Sequence, residues 1–263
     1  MRYAINFTPA RDAPLTSAAS AWLGRDAFTD ERLPAPRLAT MNPEEISYHT
    51  AAARRYGFHA TLKAPFSLSE HETELSLMRA LDSFAVRASS FHIPSLGIAR
   101  IAGLFALVPV FPVPELSAFA GDVVRSFERF RAPLSDVEIA RRNPGALTPA
   151  EVRNLVQWGY PYVLEAYRFH MPLTGRVPAS ESQRVQNALD EVFSPILGAP
   201  VLVNGVSVFV EREPGAPFTV LRYRLFGSPA GERQIAEPVR RGRGNADVRR
   251  GRTDASPQLI RNR

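Results

Sequence analysis

The sequence predicts an α+β fold in which a β-α-β-β unit occurs twice and two antiparallel sheets face a central cleft. Two observations predict it. A histidine-bearing strand pattern, a helix pattern and two more strand patterns follow one another around His59, and the same order returns around His170. Two copies of a long unit indicate two similar lobes, because a solenoid needs at least three shorter repeats. Lobes related by a pseudo-twofold axis would bring the two histidines face to face.

The first histidine lies in residues 54–66, which alternate like a strand. Alternation with a period of two places three polar side chains on one face: His59, Thr61 and Lys63. An imidazole, a hydroxyl and an ammonium at this spacing are the groups that bind a phosphate and move a proton. Lys63 is also the one lysine of the sequence, and Pro65 is expected to end the strand pairing.

The second histidine lies in residues 167–176, which have the same design. Apolar side chains occupy one face of this strand pattern. The other face carries four residues: Arg168, His170, Pro172 and Thr174.

Each histidine strand is followed by a helix pattern and two strand patterns. We expect a capping box to open each helix, ten residues after the histidine, at Ser69 and at Ser180. The apolar stripes have helical spacing, and they are Leu75, Met78, Leu81 and Ala85 in the first repeat and Val185, Leu189, Val192 and Ile196 in the second. The strand patterns that follow cover about 90–100 and 103–110, then 201–212 and 217–227.

Further elements flank the repeats. Residues 2–8 alternate as a strand, a helix is expected over 14–23, and the Pro-rich loop 24–42 is a candidate lid over the cleft. Asn42 caps a helix that begins at Pro43 and reaches about Arg54.

Between the repeats, a helix follows Phe111, and its stripe is Leu116, Phe119, Val123, Phe127 and Phe130. Residues 131–147 have no regular pattern. A capping box at Thr148 opens a short helix that ends near Trp158 and links the lobes.

These patterns predict one bilobal domain over 1–229. Lobe one covers about 43–110 and lobe two about 160–227, with 1–42 and 111–159 as an added strand and helices. Residues 230–263 contain nine Arg against four Asp or Glu, which is +5 of the formal net charge of +6. We expect this segment to be a disordered arginine-rich tail, either a solvated extension or an arm for RNA or a membrane surface.

Composition limits the function classes. The sequence has no cysteine, which excludes a disulfide framework and thiolate chemistry. There is no leader pattern and no apolar run near 18 residues, so we expect a soluble, cytoplasmic protein without a membrane partner, and a monomer. The near-neutral body favours a small phosphorylated substrate over RNA.

A duplicated chain with two histidine strands, the first of which reads His59-Ala60-Thr61, resembles the two-histidine (2H) phosphoesterase superfamily, whose paired strands have the pattern His-x-Thr/Ser. Four segments resemble a bacterial branch of it more closely, the DUF1045 proteins, which are often labelled phosphonate metabolism proteins: residues 2–10, 56–66, 158–162 and 169–175. The resemblance covers about 1–227. Where that branch usually has a threonine two residues after the second histidine, this chain has Pro172.

We therefore predict a metal-independent phosphodiesterase, without a cofactor, that hydrolyses a small cyclic phosphodiester. One imidazole would activate water and the other would protonate the leaving oxygen, and the order of these roles stays open. The catalytic candidates are His59 and His170. The substrate-binding candidates are Thr61, Lys63, Thr174, Arg168 and Tyr56. The resemblance implies a sugar cyclic phosphate from phosphonate breakdown as the substrate, and Pro172 predicts slow turnover.

Other interpretations remain open at this point. RNA-end processing of 2′,3′-cyclic phosphates or 2′-5′ linkages is the second choice, and a phosphate-binding protein that has lost turnover is the third. A zinc site would lack an obvious third ligand at metal spacing. Of the other histidines, His49 and His71 are expected on the surfaces of helices, and His92 is a candidate to line the cleft.

Overall fold

Nine strands and seven α-helices make up the described part of the chain, residues 1–227 of a computed structural model. The predicted tail at 230–263 lies outside these residues. The strands are β1 (Arg2–Phe7), β2 (Ala60–Phe66), β3 (Phe91–Ile93), β4 (Leu96–Ile101), β5 (Leu104–Pro109), β6 (Met171–Arg176), β7 (Val201–Val203), β8 (Gly205–Glu211) and β9 (Thr219–Leu225). The α-helices are α1 (Pro14–Leu23), α2 (Pro43–Tyr56), α3 (Glu74–Arg87), α4 (Pro114–Phe127), α5 (Asp136–Arg141), α6 (Pro149–Trp158) and α7 (Ser182–Phe193).

The strands form three antiparallel sheets, which confirms the predicted α+β class. A four-stranded sheet has the order β2-β1-β8-β9, a three-stranded sheet the order β4-β5-β6, and β3 pairs with β7. The histidine strand of the first repeat, β2, therefore lies in the sheet that holds the hairpin β8-β9 of the second repeat.

The histidine strand of the second repeat, β6, lies in turn in the sheet that holds the hairpin of the first repeat. Strand β6 pairs with β5, in the hairpin of the first repeat. Each large sheet therefore contains strands from both lobe one (43–110) and lobe two (160–227). Alternation along a strand indicates which face is buried, but it does not identify the strand that pairs with it.

One apolar core joins the two large sheets. Its fully buried members come from both sheets and from the repeat helices, and they include Ile5, Val208, Leu107, Leu173, Leu81 and Leu189. A smaller cluster covers the opposite face of the four-stranded sheet: Ala4, Ala27, Phe209, Phe218, Val220 and Tyr223. Burying a large apolar side chain stabilises the fold by about 1.5–3 kcal/mol, so the shared core holds the two histidine strands in fixed relation.

Several predicted helices are confirmed. Helix α1 covers the predicted residues, α2 begins at Pro43 behind a capping box formed by Asn42 and Glu45, and α6 begins behind the Thr148 box. The stripe of α4 is buried throughout, with Phe130 in a short 3-10 turn, Glu128–Phe130, that follows the helix.

Other boundaries differ from the prediction. The cap of α3 is Thr73, which exchanges hydrogen bonds with Ser76, so the predicted box at Ser69 is wrong and Leu75 is exposed. A 3-10 turn, Ala179–Glu181, precedes α7 and replaces the predicted box at Ser180. Helix α5 was not predicted, although Ser135 and Glu138 form a capping box at its start.

Candidate active site

The two predicted catalytic histidines occupy equivalent positions. His59 directly precedes β2, and His170 directly precedes β6. In each imidazole, Nδ1 lies 2.9 Å from the carbonyl oxygen two residues earlier, that of Gly57 and of Arg168. Because a carbonyl only accepts, Nδ1 carries the proton in both rings. The neutral form of each ring therefore presents Nε2 as a base.

His59 is buried among aromatic rings. Its ring centroid lies 6.2 Å from that of Tyr56 and 5.8 Å from that of Phe209. Burial lowers the pKa of His59 to about 4, the hydrogen bond to Gly57 opposes this change, and the charge of the nearby His170 adds to it. His59 is therefore neutral at pH 7, which suits a general base.

Packing between the repeats brings the two histidines into one region. Strand β2 contacts β6, and the ring of Phe169, next to His170, lies 6.1 Å from the ring of Phe7 on β1. The influence of His170 on the pKa of His59 reflects the same proximity. His170 is only half-buried, so a ligand reaches this side of the pair more easily.

Gly57 sets the path of the backbone between α2 and His59. Its φ of 76° and ψ of 178° belong to a region that is essentially restricted to glycine, and its N–H donates to the last turn of α2. A Cβ at this position would lie 2.5 Å from the Cβ of Ala27. Residues 54–56 therefore belong to the helix, and the predicted strand begins only after the histidine.

Thr61 lies beside the reactive nitrogen of His59. Its Oγ1 is 3.1 Å from Nε2, and because that nitrogen is unprotonated in the neutral ring, the hydroxyl donates to it. On the neighbouring strand β1, Asn6 is the direct partner of Thr61. The Oδ1 of Asn6 is buried without a hydrogen-bond partner among the described residues.

Sequence reasoning missed Asn6 and its other neighbour, Ser207. Ser207 pairs with Asn6 from β8, and its hydroxyl donates to the Asn6 carbonyl oxygen at 3.2 Å. The available signal was a polar residue in the middle of two otherwise apolar strands. Thr61, Asn6 and Ser207 form a polar row across three strands, on the sheet face that also holds Phe209.

The prediction that Lys63 shares a face with His59 and Thr61 is wrong. A β-bulge lies between the pairs Asn6–Thr61 and Ile5–Lys63, so two residues of β2 advance against one residue of β1. Lys63 is therefore turned toward the core, where its Nζ lies 2.5 Å from Glu128 Oε2. Lys63 is 2% exposed and its ammonium is engaged in this ion pair, so it does not reach a ligand beside Thr61.

The hydroxyl of Thr174, a predicted substrate-binding residue, is engaged by the backbone. Its hydroxyl accepts from the Phe105 N–H at 2.9 Å and donates to the Gly175 carbonyl at 2.8 Å, beside an irregularity in the pairing of β5 with β6. Thr174 is 2% exposed, and both hydrogen bonds of its hydroxyl support the sheet.

The remaining candidates lie at the edge of the site. Tyr56 stacks on Phe218 with ring centroids 5.3 Å apart and stands next to His59. Arg168 is exposed, and its guanidinium donates to the carbonyls of Glu165 and Tyr167.

The other histidines are placed outside the pair. His49 is buried with its Nε2 3.0 Å from Glu181 Oε2, so the prediction of a surface residue is wrong. His71 and His92 are exposed, His71 in a turn before α3 and His92 on β3.

Residues 1–227 contain neither a membrane-spanning helix nor a metal-binding cluster. None of their helices is long and apolar enough to cross a membrane. Within the same range, no group of three or more His, Asp or Glu side chains lies close enough together to hold a metal ion.

The pKa of His59 predicts a pH-dependent stability. The folded chain keeps this ring neutral down to about pH 4, whereas the unfolded chain takes up the proton near pH 6.5. Between these values the unfolded state binds more protons, so the free energy of unfolding falls as the pH is lowered.

Urea unfolding at pH 7.5 and pH 4.5 tests this expectation. We expect wild type to lose about 2–3 kcal/mol more than a His59→Gln variant over this range. His71→Gln, which removes an exposed histidine, should behave like wild type. A His59→Gln variant that is as pH-sensitive as wild type would contradict the burial argument.

Together, the duplicated fold and the paired imidazoles define a class of α+β protein in which each repeat contributes one histidine strand and the two strands lie in contact. The family model described as "Protein of unknown function (DUF1045)" matches residues 61–219, more than half of the chain. The chain belongs to the DUF1045 family.

Two curated relatives carry the name ribose 1,5-bisphosphate phosphokinase PhnN. The protein of Janthinobacterium sp. (strain Marseille) is 34% identical over 236 residues, which are 88% of this chain and 52% of the relative. That of Laribacter hongkongensis (strain HLHK9) is 33% identical over 223 residues, which are 84% of this chain and 51% of the relative. The chain thus spans about half the length of the curated relatives it matches.

The matches to solved structures are more distant. The protein TT0787 of Thermus thermophilus has a TM-score of 0.44 at 14% identity, covering 86% of this chain and 98% of that one. LigT of E. coli, solved with NADP+, has a TM-score of 0.40 at 12% identity, covering 86% and 98%.

Proposed function

We propose that this protein is a metal-independent phosphodiesterase that opens a small cyclic phosphodiester by two-histidine acid–base catalysis. The observation that carries the proposal is the equivalence of His59 and His170, in each of which Nδ1 is hydrogen-bonded to a backbone carbonyl and Nε2 is left as the basic nitrogen of the neutral ring. Resemblance to the 2H phosphoesterases points the same way. Each positioned proton transfer contributes about 10²–10⁴ in rate.

The low pKa of His59 supports the assignment of roles. Neutral His59 takes a proton from water through Nε2 while the water oxygen attacks phosphorus. His170 enters the step as the imidazolium and gives its Nε2 proton to the ring oxygen as the phosphorus–oxygen bond breaks. The products are a ring-opened phosphate monoester and a free hydroxyl, and one water molecule is consumed.

Groups next to His59 suit a phosphorylated sugar. The Thr61 hydroxyl donates to a phosphate oxygen when the ligand displaces it from Nε2. The unpartnered Oδ1 of Asn6 accepts from a sugar hydroxyl. Leaving a buried acceptor unsatisfied costs about 1–3 kcal/mol, so a ligand that supplies a donor is favoured.

The name of the curated relatives supports a ribose phosphate from phosphonate breakdown as the substrate of this hydrolysis. Their name is that of a kinase for ribose 1,5-bisphosphate. A cyclic phosphate that joins O1 and O2 of ribose 5-phosphate yields ribose 1,5-bisphosphate when water breaks its bond to O2. This reaction would supply the substrate in the relatives' name.

Phosphorus NMR of the reaction mixture tests the proposal. We expect the cyclic phosphate signal of ribose 5-phosphate 1,2-cyclic phosphate to be replaced by a monoester signal, and nucleoside 2′,3′-cyclic phosphates to react more slowly. Faster turnover of the nucleotides would favour RNA-end processing. Binding of the sugar cyclic phosphate without turnover would favour the ligand-binding alternative.

Pro172 makes the two half-sites unequal. Thr61 gives His59 a hydroxyl partner, whereas Pro172, the corresponding residue after His170, has neither a hydroxyl nor an N–H. Strand β6 is an edge strand, which accommodates the proline. We therefore expect a slow enzyme, because one preorganised donor is worth about 10²–10³ in turnover.

The substitution Pro172→Thr restores the donor and should raise kcat on simple cyclic phosphodiesters by at least about tenfold. Pro109→Thr, at the end of β5 in the same sheet, is the matched control and should leave kcat unchanged. Unchanged kinetics in a folded Pro172→Thr protein would mean that the phosphate does not approach this residue.

A further inference from the structure

Two arginines share one buried carboxylate beside the candidate site. Arg2 Nε lies 2.5 Å from Glu211 Oε2, and Arg55 Nη2 donates to Glu211 Oε1. Glu211 is 1% exposed, whereas the side chains of Arg2 and Arg55 are 37% and 35% exposed. The carboxylate therefore holds two guanidinium groups at the surface and neutralises one of their two charges.

The carboxylate of Glu211 stays ionised beside the two arginines. Burial raises its pKa, but hydrogen bonds from Arg2, Arg55 and the Gly215 N–H outweigh burial and hold the pKa at about 2. Glu211 is therefore ionised at any pH at which the histidine pair works. Arg2 uses only its Nε in this cluster, and Arg55 uses one Nη and a long bond from Nε to the Ala216 carbonyl. The other Nη groups have no partner among residues 1–227.

The cluster lies on the face of the four-stranded sheet that also carries Thr61, Asn6 and Ser207. Alternation along β1 places Arg2 on the face that carries Asn6, about 13 Å further along the strand. The Arg55 guanidinium lies 5.5 Å from the ring of Tyr56, which in turn adjoins His59. Arg2 lies 5.8 Å from the ring of Phe218, which stacks on Tyr56. An aromatic surface thus connects the two arginines to the imidazole.

One further acidic group faces this cluster. Glu138 on α5 is within electrostatic range of Arg2, but it is exposed and its carboxylate accepts hydrogen bonds from the N–H and hydroxyl of Ser135 at the helix cap. It does not make a hydrogen bond to either arginine among the described residues. The guanidinium groups therefore remain open to an anion.

We infer that Arg2 and Arg55 bind a second phosphate of the substrate, a monoester separate from the cyclic phosphodiester at His59. This inference rests on the proposed function. Arginine presents planar pairs of N–H groups that match a phosphate, and charge-assisted hydrogen bonds of this kind are the strong ones. The substrate class is then a sugar cyclic phosphate with a terminal phosphate.

Paired substrates test the inference. For wild type we expect ribose 5-phosphate 1,2-cyclic phosphate to have a KM about 10–100-fold lower than ribose 1,2-cyclic phosphate, which lacks the monoester. Arg2→Gln and Arg55→Gln should each raise KM for the phosphorylated substrate by about tenfold or more and leave KM for the other unchanged. Arg212→Gln, which removes an arginine paired with Glu74 on the other side of the sheet, should change neither value.

Two further measurements distinguish failure of this inference from failure of the phosphodiesterase proposal. If a glutamine variant does not fold, Arg55→Lys keeps a charge for Glu211 and still removes the planar fork. Calorimetric binding of ribose 5-phosphate, compared between wild type and Arg55→Lys, tests the arginine site without turnover. Equal KM values for the two substrates in wild type would overturn the inference and leave the phosphodiesterase proposal intact. Absence of turnover together with arginine-dependent binding of ribose 5-phosphate would overturn the phosphodiesterase proposal alone.

Discussion

Replacement of either histidine should abolish most of the activity, and replacement of both should do little further harm. We expect His59→Gln and His170→Gln each to lower kcat/KM on the sugar cyclic phosphate by about 10²–10⁴. The reason is that each imidazole performs one proton transfer in a single concerted event. Removal of one leaves the other without a step to complete, so the losses are strongly non-additive.

Steady-state kinetics of the two single variants and the double variant provide the measurement. The kcat/KM of the double variant should be within about tenfold of that of the less active single variant. His71→Gln and His92→Gln remove exposed histidines outside the pair and should keep wild-type kinetics. Losses that multiply, so that the double variant falls by the product of the two single effects, would show that the histidines act independently.

The second large effect concerns stability and comes from Gly57. Gly57→Ala should lower the free energy of unfolding by about 2–5 kcal/mol, from the cost of the backbone conformation and from overpacking against Ala27. The added Cβ would lie 2.5 Å from the Ala27 Cβ, a distance at which the backbone has to move. That movement would displace the carbonyl that binds His59 Nδ1, so activity should fall as well.

Chemical denaturation with a matched glycine checks this expectation. A Cβ added at Gly145 would meet no atom within 4 Å, and this glycine lies outside the site, so Gly145→Ala should stay within about 0.5 kcal/mol of wild type. Adding Ala27→Gly to Gly57→Ala should recover the packing part of the loss and leave the backbone part. A Gly57→Ala protein as stable as wild type would contradict the strained geometry described here.

The local elements were largely predictable from sequence. Asn42 before Pro43 and Thr148 before Pro149 mark helix starts through side-chain caps, which act within one turn. The stripe of α4 was equally clear, because a 3.6-residue period over four turns has no competing interpretation. His59 and His170 were predicted for the same reason, since each sits in a repeated local pattern.

The features that the sequence did not reveal depend on contacts between residues that are distant in sequence. The bulge that turns Lys63 toward Glu128 arises from the register between β1 and β2, and Thr174 is engaged by Phe105 of a strand about 70 residues earlier. The exchange of β2 and β6 between sheets is also a matter of pairing, and pairing does not change the alternation of either strand. Asn6 and Arg2 became candidates only when the sheet order placed β1 beside β2.

The most direct test of the account is kcat/KM for ribose 5-phosphate 1,2-cyclic phosphate in metal-free buffer, with and without a chelator, across about pH 3 to 9. We predict equal rates with and without chelator and a bell-shaped pH profile, which His59→Gln and His170→Gln both abolish. Activity that disappears with chelator and returns with a divalent cation would contradict two-histidine catalysis and assign the chemistry to a metal.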